Sequence, residues 1–229
     1  MINQEEGTIK INEDNGKKSH SVFQTLRLFL NYVTNILMVL IVFICLLFSL
    51  QTGNFGAYEW HIVLCVLGYQ LLMSQGILVI SKYNYWSMYL TRRHRIYSHL
   101  ILQVLSIVLI TIGSVLMFQQ KKINFNTIHG ILALCALIMS IMSSLDGIIL
   151  MYARNISNYI SSFWLKCGHY ILGAAGLICS SASLCYAFKK GSFRKWVEND
   201  DNVLIALTSI FTVLVLAEFV IAMRKRLRT

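Results

Sequence analysis

The chain has 229 residues, of which 56% are hydrophobic and only 13% are charged. Soluble globular domains carry about 25% charged residues, so this composition excludes an ordinary soluble domain. The net charge of +10 is explained by basic residues that flank membrane spans, and we expect no nucleic-acid partner.

Apolar segments of membrane-spanning length recur along the chain. The polar residues 1–25 predict a disordered cytosolic tail without a cleaved signal, and residues 224–229 predict a basic cytosolic tail. Between them, residues 26–223 predict an all-α domain with six transmembrane helices. The predicted spans are Leu26–Leu50, Tyr58–Ile80, Tyr97–Phe118, Thr127–Tyr152, Phe163–Phe188 and Val203–Met223.

The distribution of basic residues predicts the orientation. Six spans place both termini on the same side of the bilayer. That side carries thirteen Lys and Arg residues against six on the other, with Lys166 left out because it stands at a helix start. Because cytosolic loops are enriched in Lys and Arg, both termini are predicted to be cytosolic.

Four histidines stand near the starts of the four central spans. Successive spans enter from opposite faces, so His61 and His129 share the outer depth, while His99 and His169 share the cytosolic depth. Spans 1 and 6 carry no histidine in their apolar stretches. The pattern favours a four-helix core of spans 2–5 that holds two bis-histidine haem sites, with spans 1 and 6 at the periphery.

Small residues accompany these histidines. An α-helix returns to nearly the same face after seven residues, and the residues found there are Gly68, Ser106, Ala136 and Gly176. Beyond His169, Gly173 adds a second small residue at i+4. We expect these positions to clear space for a flat macrocycle, although small residues also serve plain helix packing in lipid.

Two other interpretations of the histidines stay open at this point. Zinc favours four ligands at one site, whereas these histidines fall two and two at opposite depths. A purely structural role, as polar contacts near the interface, is the second. The six cysteines lie in or beside the spans without a CxxC pair, and we interpret them as buried thiols.

Charged residues near the cytosolic side are candidate substrate contacts. The basic connection after span 2 carries Lys82, Arg92 and Arg93, and Lys166 stands one turn before His169. Each also has a simpler role as a positive-inside or snorkelling residue. The intramembrane acids Asp146 and Glu218 are functional candidates, or carboxylates paired with a nearby Lys or Arg.

The ordered set of short motifs resembles the cytochrome b561 family over about residues 25–225. The motifs are Trp60-His61, His99 with Leu102-Gln103, His129-Gly130, Lys166-x-x-His169 with Gly173 and Gly176, and Ser181-Ala182-Ser183-Leu184. The resemblance implies two b-type haems, an outer one on His61 and His129 and a cytosolic one on His99 and His169. It implies a transmembrane oxidoreductase that takes electrons from cytosolic ascorbate.

The acceptor in this family is usually monodehydroascorbate radical or ferric iron on the opposite side. Some relatives are homodimers, and the branch that this chain most resembles is linked to endoplasmic reticulum and vesicle membranes. The alternative from another class is a non-enzymatic membrane scaffold, or a metal transporter that uses the histidines differently.

The chain departs from the better-studied ascorbate-recycling members at two places. Their tyrosine–arginine pair at the cytosolic end of span 2 is replaced by Leu78-Val79-Ile80-Ser81-Lys82, and their serine-rich motif at the span-4 histidine reads Asn126-Thr127-Ile128-His129-Gly130. These positions bear on the substrates and leave the four histidines in place.

Overall fold

The computed structural model describes residues 2–51, 53, 55–152, 162–198 and 200–227, with side chains from residue 22 to residue 224. The described chain is helical and contains no strand. Within these ranges six helices are long and apolar enough to cross a membrane, which confirms the predicted fold class of a six-span all-α membrane protein.

The helices follow the predicted order. Span 1 lies in Ile2–Leu50; span 2 joins Ala57–Cys65, a π-helical segment Val66–Met73, and Ser74–Leu78; span 3 is Arg92–Gln120; span 4 is Ile128–Met151; span 5 is Ser162–Phe188; and span 6 lies in Asp201–Leu227. A short helix, Gly191–Trp196, lies between spans 5 and 6.

The helix of span 1 begins at Ile2, within the segment predicted to be a disordered tail. Its apolar part begins at Val22. An α-helix can continue through the polar residues because they include Glu, Lys and Ile and no proline. The proposal that residues 1–25 stand apart from the membrane domain stays a prediction.

Span 3 begins earlier than the predicted Tyr97. Thr91 is its N-cap, since the Thr91 hydroxyl accepts a hydrogen bond from the backbone N–H of His94 at 3.3 Å. Arg92 and Arg93 therefore belong to the first turn of span 3 and not to a connecting loop. Span 4 is capped in the same way, with Thr127 accepting from the N–H of Gly130 at 3.2 Å.

Most of the apolar core lies among spans 1, 2, 5 and 6, and Ile110 of span 3 and Ala136 of span 4 complete it. Its fully buried side chains include Met38 and Ile41 of span 1, Leu177 of span 5, and Phe211 and Val215 of span 6. Spans 3 and 4 expose most of their apolar side chains, as expected of lipid-facing helices. Core side chains such as Phe48, Phe188 and Met73 also line the cavities beside the histidines.

All six cysteines are free thiols, as predicted. Cys45 is buried in the apolar core, and the other five are half-buried. They act as small hydrophobic side chains in this bundle.

Candidate functional site

The four histidines meet in two pairs. The ring centroids of His61 and His129 are 6.3 Å apart with planes at 88°, and those of His99 and His169 are 6.0 Å apart at 77°. We call these the 61/129 pair and the 99/169 pair. Each pair joins one histidine from spans 2–3 with one from spans 4–5, as the sequence predicted.

In spans 2 and 3, each histidine binds a backbone carbonyl of the other span. The Nδ1–H of His61 donates to the carbonyl of Gly113 at 2.8 Å, and the Nδ1–H of His99 donates to the carbonyl of Gly76 at 2.6 Å. Gly113 permits this approach, because a Cβ there would lie 3.0 Å from the Cys65 sulfur.

Spans 4 and 5 repeat the arrangement with serines. The Nδ1–H of His129 donates to the carbonyl of Ser183 at 2.9 Å, and that of His169 donates to the carbonyl of Ser143 at 2.7 Å. Each serine hydroxyl in turn donates to the backbone carbonyl of its histidine, at 2.9 Å for Ser183 and 3.1 Å for Ser143.

These carbonyl contacts fix the tautomer of all four imidazoles. A histidine whose Nδ1 carries the proton presents Nε2 as the metal-binding nitrogen. The hydrogen bond from the second ring nitrogen to a carbonyl also sets the ring orientation and raises the basicity of the ligand. The arrangement is therefore the one expected of histidines that bind a metal through Nε2.

The two histidine pairs lie at two levels of the bundle, and each of spans 2–5 contributes to both levels. Each span supplies a histidine to one level and, further along, a carbonyl that accepts from a histidine of the other level. These two residues are 14 apart in spans 3, 4 and 5 and 15 apart in span 2. The pairs are His61 and Gly76, His99 and Gly113, His129 and Ser143, and His169 and Ser183. Fourteen residues of α-helix rise about 21 Å.

The additional residue of span 2 coincides with its π-helical segment, Val66–Met73. An α-helix turns about 100° per residue, so one extra residue would rotate Gly76 away from His99. A π-helical turn takes up one residue more than an α-helical turn. The segment therefore keeps His61 and Gly76 in register with the other three spans.

Each histidine pair lines its own cavity. The 61/129 cavity measures ≈ 290 Å³ and the 99/169 cavity ≈ 360 Å³. Both are close to the ~300–1,000 Å³ of small-molecule and cofactor sites. Their linings are mostly apolar, with Ile62, Leu134 and Leu184 in the first and Ile77, Leu100 and Ile148 in the second.

The residues fit an iron porphyrin held by two imidazoles. Metal–imidazole bonds are about 2.0–2.1 Å and a ring centroid lies about 1.2 Å beyond its nitrogen, so two imidazoles on opposite sides of one metal would place their centroids about 6.4 Å apart. The observed 6.3 Å and 6.0 Å agree. Among the described residues, no three His, Cys, Asp or Glu side chains gather to hold a metal.

The small residues at i+7 do not line the cavities, so this expectation was wrong. Gly68 packs against Ile110 and accepts a hydrogen bond from the Ser106 hydroxyl at 2.9 Å, and Gly176 packs against Ser140. These positions serve helix contact between the two levels. The glycines that do line a cavity are Gly147 and Gly173 at the 99/169 cavity and Gly130 at the 61/129 cavity.

Two of the four candidate substrate residues reach a cavity. Arg92 and Lys166 line the 99/169 cavity, whereas Lys82 and Arg93 are exposed and absent from its lining. The Lys82 ammonium lies 5.0 Å from the centroid of the Tyr83 ring, and the Arg93 guanidinium lies 5.7 Å from that of Tyr97. These last two contacts are those of surface cations on aromatic rings.

The two intramembrane acids differ. Glu218 forms a bidentate ion pair with Arg27, with contacts of 3.1 and 2.6 Å, and accepts from the Ser81 hydroxyl at 2.9 Å. These contacts support the interpretation of Glu218 as a carboxylate paired with a nearby arginine. Asp146 packs its Oδ2 against Gly168, so closely that a Cβ added to Gly168 would lie 2.9 Å from this oxygen. Asp146 takes part in neither of the two ion pairs found among the described residues.

Sequence reasoning missed the four residues whose carbonyls accept the histidine hydrogen bonds, which are Gly76, Gly113, Ser143 and Ser183. A backbone carbonyl has no side-chain signature, so only the spacing could have indicated it. It also missed Lys121 and Lys190, which line the 61/129 cavity.

Comparison with known proteins gives consistent matches. The profile of the eukaryotic cytochrome b561 family matches residues 60–194, which contain all four histidines, spans 3–5 and all but the first three residues of span 2. The chain is also similar to the transmembrane reductase CYB561D2 of Mus musculus and of Homo sapiens, each 28% identical over 163 residues, or 69% of this chain and 73% of the relative. The Bos taurus protein of the same name is 27% identical over the same length.

The family profile covers more than half of the chain and begins one residue before His61, so it spans the part in which the histidine pairs and their carbonyl partners lie. The chain therefore belongs to the cytochrome b561 family.

Proposed function

We propose that this protein carries electrons across the membrane from cytosolic ascorbate to monodehydroascorbate radical or ferric iron on the other side. Family membership supports transmembrane electron transfer in general. The ascorbate donor, the acceptors and a count of two haems are the finer parts of the proposal.

One observation carries it: two facing histidine pairs lie at two levels, and every Nδ1 is bonded to a backbone carbonyl. His61 and His129 would hold one b-type haem, and His99 and His169 the other. The haems would supply one-electron redox chemistry, and two protein ligands on each iron favour electron transfer over oxygen chemistry. The chain's part is to hold the imidazoles, orient them and keep water out.

The donor would approach the 99/169 level. Arg92 and Lys166 line that cavity, and their positive charges attract an anion such as ascorbate. Lys82 and Arg93 lie outside the lining and would add to the positive potential at this end. The excess of Lys and Arg on the same side supports a cytosolic position for it and for both termini.

The membrane of residence and the assembly are part of the same proposal. The family resemblance favours endoplasmic reticulum or vesicle membranes, and a homodimer is the assembly that some members of the family form. Cysteine-accessibility labelling tests the orientation: Arg93→Cys should react from the cytosol and Lys122→Cys only from the opposite side. The reverse result would exchange the donor and acceptor faces.

The first experiment is a dithionite-reduced absorption spectrum of purified protein with haem quantified per chain. We expect sharp bands that also form on adding ascorbate, and two haems per chain. Protein reconstituted with excess haem that binds none would contradict the proposal and favour a scaffold or metal transporter.

The second experiment uses sealed vesicles with ascorbate at the 99/169 face and ferric chelate at the other. The His169→Ala protein should keep part of the haem spectrum and lose most transmembrane reduction. The His129→Ala protein should keep a haem reducible by ascorbate and export no electrons. His94→Ala is the matched control, because His94 lies at the exposed start of span 3 outside both cavities. Wild-type rates in His169→Ala vesicles would contradict the two-site relay.

A further inference from the structure

Two lysines at the 61/129 cavity have no role in the function described so far. Lys121 follows the last residue of span 3, and Lys190 precedes the short helix Gly191–Trp196. Both are half-buried and line the cavity together with His61 and His129. Their sequence neighbours Lys122 and Lys189 are exposed and absent from the lining.

Packing fixes the backbone from which Lys190 extends. Phe193 of the short helix is buried, with ring-centroid distances of 4.8 Å to Phe48 and 4.9 Å to Phe188. The N–H of Arg194 donates to the Lys190 carbonyl at 2.9 Å. Lys190 is therefore set at the cavity by the apolar core and not by a free loop.

The loop that carries Lys121 is also folded toward the cavity. Phe125 has a positive φ of 56°, a conformation that costs free energy in a non-glycine residue. Its ring lines the cavity and lies 6.1 Å from that of Phe118. Asn124 closes the turn by donating to the Phe118 carbonyl at 3.2 Å.

Neither lysine has a carboxylate partner in the described part of the chain. The ion pairs found there are Arg27–Glu218 and Arg194–Asp201. Burial lowers the pKa of Lys190, and the charge of Lys121 lowers it further. Two partly desolvated cations directed to one cavity are unfavourable unless an anion joins them.

We propose that Lys121 and Lys190 form an anion-binding site for carboxylate groups at the mouth of the 61/129 cavity. This inference rests on the proposed function. The first source of the anion is the pair of propionate carboxylates of the porphyrin held by His61 and His129, because the lysines and histidines line one cavity. A small anionic molecule that enters from this end is the second source.

The test compares Lys121→Gln/Lys190→Gln with Lys122→Gln/Lys189→Gln, which removes the same charge from exposed neighbours. Both are made in the His169→Ala background, which is expected to hold only the 61/129 haem. The readout is the rate of haem loss to an excess of a haem-scavenging apoprotein. Hydrogen bonds to charged groups contribute about 1.5–3 kcal/mol, so the cavity variant should lose haem about tenfold faster or more. The surface variant should match the parent, and Lys121→Arg/Lys190→Arg should restore retention.

Reconstitution with haem dimethyl ester separates the two sources, because the ester lacks both carboxylates. If the propionates are the partners, parent and cavity variant should lose the ester at equal rates. If a separate anion is the partner, haem loss should be unchanged, and citrate should bind the parent in calorimetry and not the cavity variant. Equal haem loss and equal citrate binding in the cavity and surface variants would overturn the lysine site. Absence of haem from every protein would instead overturn the proposed function.

Discussion

Ser183 and His129 are joined by two hydrogen bonds of 2.9 Å that run in opposite directions. The imidazole donates to the serine carbonyl, and the serine hydroxyl donates to the histidine carbonyl. Ser143 and His169 repeat the contact at the other level. Spans 4 and 5 are thereby held in register by the same groups that orient their histidines.

Ser183→Ala removes one of these two bonds and leaves the other. The His129 carbonyl also lies in a helix, so it is not left without a donor. We expect the free energy of unfolding to fall by about 0.5–1.5 kcal/mol, with the haem content unchanged. Thermal unfolding in detergent with haem quantification measures both. Loss of a haem from Ser183→Ala would show that the hydroxyl, and not the carbonyl, holds the imidazole.

Gly113→Ala and Gly147→Ala should each remove a different haem. A Cβ at Gly113 would lie 3.0 Å from the Cys65 sulfur and 3.1 Å from the Leu64 Cβ, so these neighbours of His61 or span 3 must shift by a few tenths of an ångström, which disturbs the bond between His61 and the Gly113 carbonyl. A Cβ at Gly147 would lie 3.1 Å from Cε1 of His169 and displace that ring. Redox titration should find only the 99/169 haem in Gly113→Ala and only the 61/129 haem in Gly147→Ala.

Each glycine variant is the control for the other, since both add one methyl group to a helix that lines a histidine pair. If both variants lost the same haem, or neither lost one, the close approach at these glycines would have no part in holding the ligands.

Deletion of Leu67 tests the π-helical segment. The deletion brings His61 and Gly76 to a separation of 14 residues, as in the other spans. An α-helix can then replace the π-helical turns. We expect two haems per chain to be retained. Deletion of Leu134, between His129 and Ser143 in span 4, should rotate the rest of that helix by about 100° and cost at least one haem.

Absorption spectra of the two deletion proteins and of the wild type measure how much haem each one retains. Equal haem loss from both deletions would mean that the π-helical segment does not compensate for the extra residue.

Glu218→Ala should destabilise the fold without changing the haems. It leaves the Arg27 guanidinium buried without its partner, which costs about 3–5 kcal/mol for pairs of this kind. The double variant Arg27→Met/Glu218→Leu should recover most of the loss, because no unpaired charge stays buried. Unfolding midpoints in detergent measure both, and loss of haem per folded chain in Glu218→Ala would indicate a role for this acid beyond the ion pair.

The sequence predicted the six spans and the pairing of the histidines because both follow from patterns with a fixed period. Apolar length defines the spans, and the alternation of entry faces brings His61 to the level of His129. The carbonyl partners could not be predicted in this way, since every residue has a carbonyl. Their positions depend on how closely two helices approach, which Gly113 permits by its small size and Ser183 by its small size together with the hydrogen bond of its hydroxyl.

The error over Gly68 and Gly176 has a related cause. Seven residues bring an α-helix back to nearly the same face, but they also move about 10 Å along the axis. That displacement carries these positions past the cavities into the layer between the two levels, where spans pack directly. In span 2 the π-helical segment changes the face as well, and periodic reasoning cannot foresee it.

The carbonyl contacts join span 2 to span 3 and span 4 to span 5, so the centre of the molecule consists of two similar halves. Spans 2 and 3 form one helical hairpin and spans 4 and 5 another, and within each hairpin the helices orient one another's histidines. Neither half contains a complete pair, because each pair takes one imidazole from each half. The cofactors would thus add a second set of contacts between the two halves, besides the apolar core that spans 1 and 2 share with spans 5 and 6. A chain cut between residues 121 and 127 should therefore associate through that core and hold together more tightly when the porphyrin is supplied.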